Sequence, residues 1–254
     1  MKNEEVDSST RWCCVCAYDG TNYAGWQKQP TNNAVQNKIE DALHNIFSTP
    51  VRTIGAGRTD AGVHANGQVF HFDHQWTHGV DNMLQAIRAH LPTDICPLSI
   101  EPVFPSFHAL SSAKGKRYLY RAVKGWAMPQ EQGFCISLKN KNYDLEAMRK
   151  ASQFLVGTHD FSAFAVSHRK EEKEDPVKEI WNMTVNQKEK EFQFEVEGSG
   201  FLYKMVRSMV GGLLEVGRGR IEADTIREIL QSRKRTEVVV SAPAKGLCLE
   251  KVYY

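Results

Sequence analysis

The chain has 254 residues, 41% hydrophobic and 24% charged, a composition ordinary for a soluble globular protein with one large domain or two small ones. The formal net charge is only +2, so whole-chain electrostatics does not announce a nucleic-acid binder, and any such case must rest on where the charges sit. No run of 18 apolar residues exists, and residues 1–10 are polar and charged instead of carrying a signal core, so no membrane span is expected and a cytoplasmic location is.

Residues 1–10 read as a frayed leader. Residues 11–18 suit a buried strand closed by the turn pair Asp19-Gly20. The loop that follows, to Asn33, carries Tyr23, Trp26, Lys28 and Gln29, a set of the kind that stacks on nucleobases, packing under a loop being the commoner use. Asn33 reads as an N-cap with Gln36 three residues on. Val35, Ile39, Ala42, Leu43, Ile46 and Phe47 then give one apolar face to a helix over about 34–48.

Two short strands, 51–54 and 68–73, flank a Gly-rich stretch. A helix over 80–91 carries Val80, Leu84, Ile87 and Leu91 and is stopped by Pro92. A strand over 98–104 follows, with Pro102 as an edge signal. The order β, α, β, β, α, β is the ferredoxin-like pattern.

The second half begins with a strand over 116–123 that places Tyr118, Tyr120 and Ala122 on one face and Arg117, Leu119 and Arg121 on the other. Asp144 caps a helix with Leu145, Met148, Ala151, Phe154 and Leu155 inward, stopped by Gly157. Residues 169–175 form a mixed charge run, read as a solvated loop. Strands over 178–186 and 191–197, helices over 202–216 and 223–231, and a closing strand over 247–253 complete the pattern. The expected fold is α+β. Its two ferredoxin-like halves, 11–105 and 106–254, join into one mainly antiparallel sheet with helices on one face and an active-site cleft between the halves.

Charge is unevenly spread. From Pro102 to Gln130 there is no acid, while Lys114, Lys116, Arg117, Arg121 and Lys124 are basic; residues 201–220 carry Lys204, Arg207, Arg218 and Arg220 against Glu215 alone. Of the six cysteines, Cys13 and Cys16 form a CxxC, but the others are not at zinc-ligand spacing, so reduced thiols in strands are expected.

The stretch Gly55-Ala56-Gly57-Arg58-Thr59-Asp60-Ala61-Gly62-Val63-His64-Ala65 reads as a tight turn holding one acid. On local composition alone an ordinary Gly-rich connection, whose acid accepts its own backbone N–H, is the commoner reading. No GKS or GKT follows and the spacing is not GxGxxG, so neither nucleotide fingerprint applies.

This stretch with Gln68-Val69-Phe70-His71-Phe72 resembles the signature of the tRNA pseudouridine synthase A family. Tyr18-Asp19-Gly20-Thr21, Tyr23-Ala24-Gly25-Trp26-Gln27, Val35-Gln36, Ser106-Phe107-His108-Ala109 and Lys116-Arg117-Tyr118 extend the likeness. So do Phe201-Leu202-Tyr203-Lys204-Met205-Val206-Arg207 and Ala242-Pro243-Ala244-Lys245-Gly246-Leu247. The matches run in family order over about residues 11–253.

The resemblance implies isomerisation of uridine to pseudouridine at positions 38 to 40 of the tRNA anticodon stem-loop by a homodimer, with no cofactor and no metal. It makes Asp60 the nucleophile and Tyr118 the base that stacks on uracil. It makes Arg207 the cation paired with the acid, and Leu247 the apolar floor under the base. Arg58 is expected to fill the gap left by the extruded uridine or to hold its phosphate. Lys114, Lys116, Arg121 and Lys204, with Arg218 and Arg220, are expected to track the RNA backbone.

Two positions depart from the family pattern. Leu110 and Ala165 stand where the family has arginine, which bears on RNA clamping more than on chemistry. Two other classes remain open at this point: an RNA-binding module without activity, and a glycosidase-type hydrolase. The hydrolase would need a second carboxylate about 5 to 9 Å from Asp60, with Asp19 and Asp73 as candidates.

Overall fold

The computed structural model describes residues 9–139, 142–166 and 174–254. The leader through residue 8 and residues 169–173 of the charge run lie outside them. Chain contacts divide the molecule into one unit running to Ala113, with Tyr254 returning to it, and a second spanning Lys114–Tyr253. Among the described residues no helix is long and apolar enough to cross a membrane.

The first unit runs β1 (Thr10–Tyr18), α1 (Val35–Phe47), β2 (Ile54–Gly55), β3 (His64–His74), α2 (Val80–His90) and β4 (Ile95–Val103). Its strands lie in the order β4-β1-β3-β2, every pair antiparallel, as the ferredoxin-like pattern requires. Pro97 and Pro102 fall on β4, whose register on β1 shifts between Val15 and Cys16. The proline nitrogens donate nothing, which an edge strand tolerates.

Three local expectations are corrected. Ala34, not Asn33, is the N-cap of α1, and no side chain caps it. The Val35 and Gln36 N–H groups donate instead to the carbonyls of Gly25 and Trp26, so the preceding loop does the work of a cap. The strand expected over 51–54 shrinks to two residues, and β3 begins four residues early, inside the Gly-rich stretch. In α2 the buried pair is Met83 and Ile87, one step round from the expected stripe.

The second unit runs β5 (Gly115–Val123), β6 (Ile136–Ser137), α3 (Leu145–Gln153), β7 (Gly157–Asp160), β8 (Val177–Lys188), β9 (Glu191–Gly198), α4 (Met205–Gly217), α5 (Ala223–Ser232) and β10 (Leu247–Tyr253). The order β10-β5-β9-β8 repeats the arrangement of the first unit, and β7 adds an edge strand beside β8. β9 alternates strictly. Phe192, Phe194 and Val196 are buried on one face, while Glu191, Gln193, Glu195 and Glu197 occupy the other. As expected, Asp144 caps α3, its carboxylate accepting from the Ala147 N–H at 2.9 Å. Gly157 does not stop that helix, which ends at Gln153; with φ of 108° it opens β7 instead.

All six cysteines are free. Five lie in strands as expected, and Cys135 lies between a single 3-10 turn and β6. Burial pushes the Cys13 thiol up to about 11, and the Cys14 thiol further, so these sulfurs stay protonated and inert.

The segment after β4 is held by a charged cluster in the first unit. The Arg11 guanidinium grips Asp73 through two hydrogen bonds of 2.7 Å and donates to the carbonyls of Pro105 and Phe107. Beside it the buried His71 accepts the Ala109 N–H on Nδ1 at 3.1 Å. Burial, with the positive charge of Arg11 and with His108 beside it, holds the His71 pKa down to about 4.

The neutral ring is therefore the native form. Its contribution is complete above the ordinary value near 6.5 and is lost as pH falls from there toward 4. Thermal or urea unfolding should show stability falling by up to ~3 kcal/mol across that window. The loss of the Asp73 pair belongs to lower pH, below about 3.8, because Arg11 holds that carboxyl down. His71→Asn should flatten the slope between pH 6.5 and 4.5, and an unchanged slope would remove His71 as its source.

Candidate functional site

In the first unit the acid sits on a turn whose backbone is held on both sides. The Val63 N–H donates to the Asp60 carbonyl at 3.1 Å, and Gly62, third in that turn, has φ of 76°. The loop after β1 lies directly against the turn. Its Trp26 N–H donates to the Thr59 carbonyl at 3.2 Å, and its Tyr23 carbonyl accepts from the Gly62 N–H at 3.3 Å. Thr59 Oγ1 and the Tyr18 hydroxyl are 2.8 Å apart, and the fully buried Gln68 amide donates to the Gly57 carbonyl at 3.0 Å. Asp60 itself is half-buried, and Arg58 is exposed, donating from Nε to Gln27 Oε1 at 3.3 Å.

The loop aromatics pack instead of presenting their faces. Trp26 is buried with its indole against Gly55, where a Cβ would come within 2.4 Å of Nε1, and it touches the rings of Tyr18 and Phe70. Tyr23 is buried too, its hydroxyl donating to Asp94 at 2.6 Å. Of the two uses these aromatics offered, packing under the loop, the commoner one, is what the structure shows for both. Lys28 binds the buried Glu40, which also accepts from Thr53 N–H, Thr53 Oγ1 and Gln36 Nε2. With Gln36 accepting from the Lys28 N–H, this network ties the loop to α1.

In the second unit Tyr118 and Leu247 are buried, and Arg207 is half-buried. Tyr118 stands on β5 between Leu249 of β10 and Val196 of β9, with Phe201 edge-on at 5.2 Å. Leu247 opens β10 opposite Tyr120. The Tyr120 hydroxyl donates to the Pro243 carbonyl at 2.9 Å, and its ring fills the space where a Cβ on Gly246 would stand. Burial pushes the Tyr120 phenol up, with the charge of Arg207 acting in the opposite sense. Arg207, one turn into α4, donates from Nε to the Ala242 carbonyl at 2.7 Å and accepts the Ala242 N–H on its own carbonyl at 2.9 Å.

The basic residues divide. Lys114 is exposed at the start of the unit. Lys116 shares the Tyr118 face and is half-buried; burial lowers its pKa, partly offset by Glu174. Arg121 is taken up by Glu191 at 2.6 Å and Glu131 at 3.3 Å. Arg218 and Arg220 share Glu215. Lys204, with φ of 58°, precedes α4 and lies over the Tyr203 ring at 4.9 Å.

Sequence reasoning passed over Gln68, Glu40 and Arg235. The first two are polar groups set into an apolar strand and beside the apolar face of a helix, which is the signal that marks them.

Of the two candidates for a second carboxylate, Asp73 does not fit that part. Asp73 lies nine strand residues beyond His64, roughly 30 Å along β3 at the usual rise, and is locked to Arg11. Asp19 accepts from Thr21 N–H and Oγ1 and sits 3.1 Å from His64 Nδ1, as a turn-forming acid does.

The family model described as tRNA pseudouridine synthase matches residues 15–109 and 151–254. The chain is 41% identical over 240 residues to a tRNA pseudouridine synthase A from an Exiguobacterium species, covering 94% of this chain and 96% of that one. It is 42% identical over 243 residues to that of Acetivibrio thermocellus (94% and 98% covered). To that of Shouchella clausii it is 40% identical over 247 residues (96% and 94% covered).

The glycines make a direct test of the loop-on-turn contact. Gly25 and Gly79 have φ of 94° and 82°, yet a Cβ on Gly25 would lie 2.4 Å from the Thr59 carbonyl oxygen, whereas one on Gly79 meets nothing within 4 Å. Gly79→Ala should therefore cost about 1 kcal/mol in urea unfolding from backbone strain alone, and Gly25→Ala at least ~3 kcal/mol. Equal losses would show that the loop does not lie on the turn.

Proposed function

Because the chain belongs to the tRNA pseudouridine synthase family, we propose that it isomerises uridine in the anticodon stem-loop of tRNA, at positions 38 to 40, with Asp60 as its nucleophile. Isomerisation of tRNA uridine to pseudouridine is the activity of the family. The observation that carries the assignment of Asp60 is the turn itself, where one carboxylate stands on a backbone fixed on both sides by the 23–26 loop.

The reaction breaks the N1 to C1' bond, turns the uracil and joins C5 to C1'. The proton on C5 leaves and N1 ends protonated, so nothing is oxidised and nothing is consumed. A carboxylate meets the positive charge that develops at C1', as in glycoside hydrolysis. No water must be activated, so one acid suffices. Tyr118 is the proposed base for C5, and Leu247 an apolar wall for the ring. Arg207 is the proposed guanidinium that keeps the acid ionised. Arg58 and Lys114 are proposed to meet the RNA phosphates. A homodimer working in the cytoplasm completes the proposal.

Single-turnover isomerisation of unmodified tRNA with pseudouridine mapping tests the chemistry. Asp60→Asn keeps shape and loses charge, so turnover should vanish while tRNA binding persists. A variant retaining a tenth of the rate, a barrier change of only about 1.4 kcal/mol, would remove Asp60 as nucleophile. Tyr118→Phe keeps the ring and should slow turnover about a hundredfold or more at unchanged affinity. Tight tRNA binding by the wild type with no pseudouridine formed would make the chain a binding module instead.

The ion pairs sharpen the expected salt response. Lys114→Gln should weaken tRNA binding and reduce the slope of log K against log salt by up to about one. Arg121→Gln should leave that slope unchanged and lower stability, since it removes the cation from Glu191 and leaves that carboxylate the Gln193 amide. The opposite ranking would reassign the RNA surface to the outer face of β5.

A further inference from the structure

Arg207 does not hold its own position. Its Nε is fixed by the Ala242 carbonyl, and that carbonyl belongs to a segment outside regular structure that lies along α4. The approach is close. A Cβ on Gly211 would fall 1.7 Å from the Val240 carbonyl oxygen, so the segment rests on bare helix backbone. Something must hold residues 239–242 there.

The holder is Arg235. One terminal nitrogen of its guanidinium donates to Ser208 Oγ at 3.0 Å, on α4 next to Arg207, and to the Ala165 carbonyl at 3.4 Å. The other donates to the Val239 carbonyl at 2.6 Å and to Ser241 Oγ at 3.2 Å. Ser208, fully buried, and Ser241 are themselves 2.9 Å apart. Among the described residues none of these partners is an acid, and burial lowers the Arg235 pKa with no carboxylate to offset it. A guanidinium engaged by two carbonyls and two hydroxyls is a rigid fork, and here it joins helix to segment just ahead of the peptide that holds Arg207.

We infer that Arg235 is a positioning residue for Arg207: by clamping residues 239–241 to Ser208 it places the Ala242 carbonyl that sets the aim of the Arg207 guanidinium. The inference rests on the role proposed above for Arg207. It accounts for Ser208 and Ser241, for a glycine at 211, and for an exposed arginine outside regular structure with no acidic partner among the described residues.

The test is a cycle of Arg235→Ala and Arg207→Lys, read by single-turnover isomerisation, tRNA affinity and thermal melting. Lysine at 207 keeps a charge but has no Nε for the Ala242 carbonyl. Alone, Arg235→Ala should slow turnover about tenfold or more with affinity unchanged, and in the Arg207→Lys background it should slow it less than about twofold further. A residue that only stabilises the fold would lower melting and the active fraction alike in both backgrounds. Equal slowing in both therefore overturns the inference, as does no slowing in either. Should Arg235→Ala not fold, Arg235→Lys and Ser241→Ala replace it, with the same non-additivity expected. Wild-type turnover in Arg207→Lys would overturn the role of Arg207 itself, whereas a slow Arg207→Lys with additive Arg235→Ala overturns only the clamp.

Discussion

The first unit depends on one close approach. The loop after β1 can lie on the Asp60 turn only because Gly25 and Gly55 have no side chains, one beneath the Thr59 carbonyl and the other beneath the Trp26 indole. That approach lets the loop provide three things at once. It provides the backbone partners of the acid's turn, the missing cap of α1 and, through Trp26, an apolar seal against Tyr18 and Phe70. A carboxylate used as a nucleophile gains from such a frame, since it must be held within a fraction of an ångström of its target at no cost in ordering when substrate arrives.

In the first unit buried polar groups fix side-chain position alongside packing. Glu40 and Gln36 fasten the loop to α1, and Gln68 fastens Gly57 to β3. In the second unit the exposed Arg235, with the buried Ser208 and with Ser241, fastens residues 239–241 to α4. Apolar contacts tolerate sliding, whereas a hydrogen bond in a dry setting fails within an ångström. The turn that carries the proposed nucleophile is thus fastened by polar atoms that were taken out of water and satisfied.

Much of the fold was legible because period and punctuation agree. The closing strand over 247–253 and the Asp144 cap follow from apolar spacing and one capping acid, and β5 alternates as its residues do. The misplaced boundaries share a cause: tertiary partners overrode local signals. Asn33 looks like a cap, but the Gly25 and Trp26 carbonyls reach the helix first. Gly157 looks like a stop, but its positive φ serves the entry to β7, a four-residue edge strand with too few residues to show a period. For the site, the acid and its glycines could be read from sequence. The clamp around Arg207 could not, because its members at 165, 208, 235 and 239–241 come together only through folding.

Charge explains how a chain of net +2 can meet an RNA. Most of its arginines in the basic segments already have acids: Arg121 has Glu191 and Glu131, and Arg218 and Arg220 share Glu215. Lys114 and Lys204 have no acidic partner among the described residues, which leaves their charge uncommitted. Each phosphate contact contributes a slope of about 0.9 to the salt dependence, so phosphate contacts at these two lysines would together show as a slope of roughly two. In the proposed reading, shape and the extruded base would carry the rest of recognition, close to where the bond is broken. That division suits an enzyme which has to release its modified tRNA.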